Sequence, residues 1–184
     1  MSEYRRYFVP GGSYFFTVVT FGRQPILCGD TARALLRACI EGERIRRPFW
    51  LDAIVLLPDH LHAIWSLPGG DADYSSRWAD IKAAFTQRWL RLGGNERSVT
   101  QPQRRDGRRG VWQRRFFEHT IRDEDDFQTH LDYIHFNPVK HGLAASAKEW
   151  PYSTFHRYVE MGVYDAAWGR GAGPKIDVDE TLVE

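Results

Sequence analysis

The order in which two hydrophobic periods alternate along this chain of 184 residues constrains its fold more than any single motif does. Tyr14-Phe15-Phe16-Thr17-Val18-Val19-Thr20 is β-branched and aromatic. It lies between Gly11-Gly12 and the turn residues Gly22 and Pro25, and so predicts a first strand. A helix follows from Asp30 or Thr31, because Ala32, Leu35, Leu36, Cys39 and Ile40 recur at helical spacing while Arg33, Arg37, Glu41 and Arg44 face away. Two apolar runs, Trp50 to Leu57 and Leu61 to Leu67, flank Pro58-Asp59 and predict a hairpin. Ser75 or Ser76 is the expected cap of a second helix, whose stripe of Trp78, Ile81, Phe85, Trp89 and Leu92 ends at Gly93-Gly94. A fourth strand is predicted from Val111 to Ile121 and a third helix from Asp123, limited by Pro138 and Gly142, with a shorter helix near Ser153.

Strand, helix, strand, strand, helix, strand is the split βαβ order of a ferredoxin-like domain. The expected class is therefore α+β: an antiparallel sheet with helices on one face, plus C-terminal helices. The length suits one domain, placed at residues 1–164, followed by a loose acidic tail at residues 165–184. No apolar run approaches the roughly 20 residues that span a bilayer, so no membrane role is expected. The polar start Met1-Ser2-Glu3-Tyr4-Arg5-Arg6 lacks the features of a secretory signal and predicts a cytoplasmic protein. Cys28 and Cys39 form no metal or redox pattern and are expected to be reduced.

The net charge of +1 conceals an asymmetry. Seven arginines and a single acid, Asp106, occupy Arg97 to Arg115, whereas Asp177 to Glu184 holds four acids and no base. The stretch from Asn95 to Gly110 has no apolar period and is long for a connection, which predicts a functional or mobile loop. Its arginines precede Trp112, Phe116 and Phe117, and phosphate-binding charge beside aromatic faces favours single-stranded or hairpin nucleic acid. The candidate contacts are Arg104, Arg105, Arg108, Arg109, Arg114 and Arg115, with Lys82 from the second helix. A solvated loop is the plain alternative.

His60 and His62 begin a strand two residues apart, so their side chains leave one face with origins roughly 7 Å apart. They can converge on a divalent ion, or simply make ordinary hydrogen bonds. On the third helix His130, Tyr133 and Asn137 share a face beside the apolar stripe of Phe127, Leu131 and Ile134. A tyrosine there is commonly a packing residue, since a phenol of pKa near 10 is unreactive unassisted. A Lewis acid on the two histidines would supply the assistance, and Asn137 could add an oxygen ligand. Two imidazoles, an amide oxygen and waters suit Mg²⁺ or Mn²⁺ better than a closed zinc site. Glu118 and His119, at the end of the fourth strand, are possible neighbours of such a site.

These residues also carry a resemblance. Gly11-Gly12-Ser13-Tyr14-Phe15-Phe16-Thr17-Val18-Val19-Thr20, Leu57-Pro58-Asp59-His60-Leu61-His62, Trp112-Gln113-Arg114-Arg115-Phe116-Phe117-Glu118-His119 and Tyr133-Ile134-His135-Phe136-Asn137-Pro138-Val139-Lys140-His141-Gly142-Leu143 stand in the order found in the REP-associated tyrosine transposases. These are single-tyrosine enzymes of the HUH (His-hydrophobic-His) group, and the chain resembles them over about residues 4 to 164. The resemblance implies that His60 and His62 are metal ligands, Asn137 completes the coordination and Tyr133 is the nucleophile. It further implies cleavage and rejoining of single-stranded DNA beside REP hairpins through a 5′-phosphotyrosine, by a nucleoid-associated monomer or homodimer. Two other readings predict different behaviour: a non-catalytic single-strand-binding module would form no covalent adduct, and a phosphodiesterase using water would not need Tyr133.

Overall fold

The computed structural model describes residues 8–170. Four strands, β1 (Ser13–Val19), β2 (Trp50–Leu56), β3 (His60–Ser66) and β4 (Phe117–Thr120), form one antiparallel sheet in the order β2-β3-β1-β4. Helices α1 (Asp30–Arg46) and α2 (Tyr74–Arg91) cover one face. The long helix α4 (Glu124–Lys140) and the short α5 (Phe155–Glu160) cover the other. This is the α+β arrangement that the order of periods predicts. Among the described residues no helix is long and apolar enough to cross a membrane.

Strand alternation divides the sheet's side chains between two cores. Tyr14, Phe16, Val18, Leu61, Ala63 and Trp65 point to α1 and α2, where Trp65 stacks on Trp78 with ring centroids 4.2 Å apart. Phe15, Val55 and Ile64 point to α4 and meet Leu131, Tyr133 and Ile134. Thr17 and His62, paired across β1 and β3, lie on that second face, as does His119 opposite Phe15. The α4 face of the sheet therefore carries a polar strip inside an apolar layer.

Several expectations need correction. The α2 cap is Asp73, whose carboxylate accepts from the Ser76 N–H at 2.9 Å, rather than Ser75 or Ser76. Leu92, expected in the buried stripe, follows the helix and is 64% exposed. The arginine-rich connection is not wholly irregular: α3 (Gln101–Arg105) starts at a reciprocal capping box in which Thr100 and Gln103 satisfy each other's backbone N–H groups. The fourth strand is shorter than expected, because only Phe117–Thr120 pairs continuously with β1 and Trp112 makes an isolated bridge to Thr20. Past Tyr164 the chain still packs, with the Trp168 ring 4.6 Å from that of Tyr164. The acidic stretch from Asp177 to Glu184 lies outside the described residues.

Pro138 sits within the last turn of α4, and the helix stops just beyond it. Gly142 adopts φ 67°, a left-handed conformation open to glycine, and Leu143 N–H closes back on the Pro138 carbonyl at 2.8 Å. The helix thereby ends with Lys140 and His141 close above the sheet.

Candidate active site

His60 and His62 stand next to each other at the start of β3, ring centroids 4.9 Å apart, 3% and 0% exposed. Each ring is held at Nδ1. Asp59 Oδ1 lies 2.6 Å from His60 Nδ1, and a carboxylate only accepts, so this nitrogen donates and Nε2 keeps its lone pair. His62 Nδ1 lies 2.8 Å from Thr17 Oγ1, directly across the β1–β3 ladder. The Nε2 atoms of both histidines are buried without a hydrogen-bond partner, as are both side-chain amide atoms of Asn137. Leaving such groups unsatisfied costs about 1–3 kcal/mol each, so they call for a ligand.

Electrostatics keep these imidazoles neutral, the form in which a ring nitrogen is able to bind a metal. Burial drives the His62 pKa well below 6.5, and nearby His60, His141 and Lys140 act in the same direction. Burial also lowers His60, against the opposing pull of Asp59. Burial pushes the Asp59 carboxyl up, but hydrogen bonds from His60 and Arg23 outweigh it and hold Asp59 ionised below its ordinary range.

Helix α4 crosses the sheet from β4 toward β3 above this pair. His130 lies over Phe15, with centroids 4.8 Å apart. Tyr133 meets Phe15 edge-on at 5.8 Å and His62 at 5.2 Å. His141 then stands 5.3 Å from His60. Asn137 is one turn after Tyr133 and one before His141, so it lies along the helix between the residues that cover His62 and His60. Tyr133 is 1% exposed, and Lys140 Nζ lies 3.5 Å from its hydroxyl oxygen.

The other expected neighbours fare differently. Glu118 turns to the opposite face of the sheet, where Tyr74 donates to it at 3.4 Å, so it is not part of this site. His119, Asp126 and His130 form a second group with metal-ligand chemistry. Several of its atoms already have hydrogen-bond partners: Asp126 Oδ2 accepts from His119 Nε2 at 2.9 Å and from Arg122 Nε at 3.0 Å, and His130 Nδ1 lies 2.8 Å from the Asp126 carbonyl. A carbonyl only accepts, so that nitrogen carries a proton and is not a ligand atom, and the arginine disfavours a cation. The group works as a hydrogen-bonded hub that ties the start of α4 to β4.

In the basic segment, Glu96 folds back on Arg109 at 2.6 Å and reaches Arg104 at 4.0 Å, while Arg108 pairs with Asp106 at 3.4 Å. Arg105, Arg114 and Arg115 are exposed and form no ion pair with another described residue. Lys82 donates to the backbone carbonyls of Gln113 and Arg114, tying α2 to this segment. Thr20 links the segment to the histidines, bridging to Trp112 on one side and donating to the Asp59 carbonyl at 2.9 Å on the other.

Sequence reasoning missed Asp59, Thr17, Lys140 and His141. A carboxylate beside a histidine and a lysine two turns after a tyrosine on one helix were readable signals. Thr17 needed the strand register.

The same fold is found in a DNA transposase of known structure. A solved structure of a REP-associated tyrosine transposase bound to a REP hairpin matches the whole chain and 98% of its own, with TM-score 0.78 and 42% identity. A REP-associated tyrosine transposase of Escherichia coli K12 is 44% identical over 168 residues, 91% of each chain. A Haemophilus influenzae Rd relative of the same assignment is 41% identical over 97% of this chain and 99% of its own. No family model matches the chain. The chain belongs to the REP-associated tyrosine transposases.

Proposed function

We propose that this transposase cleaves and rejoins single-stranded DNA next to REP-type hairpins, with Tyr133 as nucleophile and His60, His62 and Asn137 as holders of Mg²⁺ or Mn²⁺. The observation that carries this reading is the pair of buried, unpartnered Nε2 atoms on His60 and His62, with the Tyr133 ring against the latter. The donor set fits the ion: two neutral imidazoles and an amide oxygen, with Asp59 and Thr17 fixing ring orientation from behind. When bound, the metal supplies Lewis-acid polarisation of the scissile phosphate.

The remaining work falls to the chain. Exposed Arg105, Arg114 and Arg115 hold phosphates of the hairpin and its flanking strand, and the paired Arg104, Arg108 and Arg109 can exchange carboxylates for phosphates. The Thr20 linkage puts this surface at the same end of the sheet as His60, so bound DNA can reach the histidines without crossing the domain. Tyr133 then attacks phosphorus. The bond from its oxygen to phosphorus forms, the bond from phosphorus to the 3′-oxygen breaks, the phenolic proton passes to water, and the 3′-oxygen takes a proton from water. A 5′-phosphotyrosine and a free 3′-hydroxyl result, and a second 3′-hydroxyl reverses the step, because one phosphodiester has replaced another of similar energy. Tyr133 is covered in this conformation, so attack needs its side chain or the end of α4 to turn toward the strand. The natural setting is the nucleoid.

Labelled hairpin DNA with a single-stranded flank, incubated with protein and Mn²⁺, should give a protein–DNA band that survives denaturation. Hairpin binding without any such band would instead support a non-catalytic binding module.

A further inference from the structure

Lys140 is the last residue of α4, seven positions after Tyr133 and therefore two turns along the same face. Its half-buried ammonium lies 3.5 Å from the Tyr133 hydroxyl oxygen and 5.0 Å from the ring centroid. The position favours a cation independently, since the carbonyl ends of the final helical turn carry partial negative charge. The ammonium lies over the tyrosine ring, where a cation is attracted to the aromatic face as well as to the oxygen.

We propose that Lys140 is a catalytic residue of the strand-cleavage step: its ammonium contacts the oxygen on which negative charge grows as the Tyr133 proton leaves, then follows that oxygen to the phosphorus. The proposal rests on Tyr133 being the nucleophile. Lys140 keeps its own proton throughout. The phenolic proton goes to water, the tyrosine oxygen bonds phosphorus, and the 3′-oxygen departs and is protonated by water, so no further reactant is needed. On reversal the same ammonium receives the phenolate as leaving group. A charge that already neighbours the oxygen on which charge develops, and moves with it on the same helix end, stabilises that charge as it forms, and removing one such donor commonly costs about a hundredfold or more in rate.

A lysine that merely packed on the ring would predict different behaviour. Single-turnover adduct formation on a labelled hairpin should fall about a hundredfold in both Lys140→Ala and Lys140→Met, while hairpin affinity stays within about threefold. Lys140→Met keeps a long unbranched side chain at the position without the charge, so a fault of packing alone would spare it. Lys140→Arg should keep the rate within about tenfold of wild type, because it retains a cation at the ring. Added ethylammonium should restore part of the rate of Lys140→Ala and leave wild type unchanged. An adduct rate within threefold of wild type in Lys140→Met, or a lost rate that neither arginine nor ethylammonium restores, overturns the proposal. Tyr133→Phe, run in parallel, separates the two claims. An adduct from that variant removes the nucleophile assignment, whereas an inert Tyr133→Phe beside a fast Lys140→Met removes only the role of Lys140.

Discussion

The ring of Tyr133 stands edge-on to that of His62, with centroids 5.2 Å apart and planes at 74°, and Phe15 lies against both. One phenyl group from the middle of β1 thus sets the separation between the proposed nucleophile and the proposed metal ligand. Phe15→Leu keeps most of the apolar volume but loses the flat surface on which His62 is stacked. The expected result is a folded protein whose adduct formation is about ten- to a hundredfold slower, with hairpin affinity nearly unchanged, measured by single-turnover kinetics and binding titration.

Asp59 orients His60 through a 2.6 Å hydrogen bond and is itself held by Arg23 at 3.2 Å. Asp59→Asn removes the charge that would make His60 a stronger ligand for the proposed metal. Mn²⁺ affinity, read by electron paramagnetic resonance of the free ion, should fall about 10- to 100-fold. The double change His60→Ala with His62→Ala should abolish specific Mn²⁺ binding, and cleavage that survived it would remove the metal assignment.

The exposed arginines predict a salt effect. Arg114→Ala with Arg115→Ala should weaken hairpin binding and reduce the slope of log affinity against log salt by about 1–2. The adduct rate at saturating DNA should change little, because the role proposed for these side chains is to hold phosphates away from the reacting bond.

His135 supplies a pH dependence of stability. It is fully buried against Tyr158 and Tyr164 with Nε2 3.0 Å from Thr154 Oγ1, and burial pushes its pKa from 6.5 down to about 3. The unfolded chain therefore binds one more proton than the folded protein between those values. This stability is fully present above pH 6.5 and is lost as pH falls toward 3, at about 1.4 kcal/mol per pH unit. His135→Gln keeps a side chain that can bond Thr154, and urea titrations from pH 6.5 to 4 should show a slope smaller by about one proton.

The sheet and its three long helices were legible because each buries one face, and burial writes a period into the sequence. His60 and His62 were legible for the same reason: strand geometry puts alternate residues on one face. Asp73 displaced Ser75 and Ser76 as the cap because Arg77, bound to Asp71 and to the Asp73 carbonyl, fixes the approach to α2. The pairing of Glu96 with Arg109 depends on a fold-back of 13 residues that no local pattern records. Glu118 was misplaced by proximity in sequence to His119, although adjacent residues on a strand must face opposite ways. The contacts of Lys140 and His141 follow from the helix running through Pro138 to Lys140, an end that lies between the two residues, Pro138 and Gly142, expected to limit it.

The proposed strand cleavage depends on Tyr133 as the attacking group. The most direct test is to trap the covalent complex formed with hairpin DNA and Mn²⁺, digest both components, and locate the nucleotide by tandem mass spectrometry. A single modified peptide bearing a 5′-phosphate ester on Tyr133 is expected, absent from Tyr133→Phe. A nucleotide attached to any other residue, or cleavage by Tyr133→Phe at the wild-type rate, would contradict it.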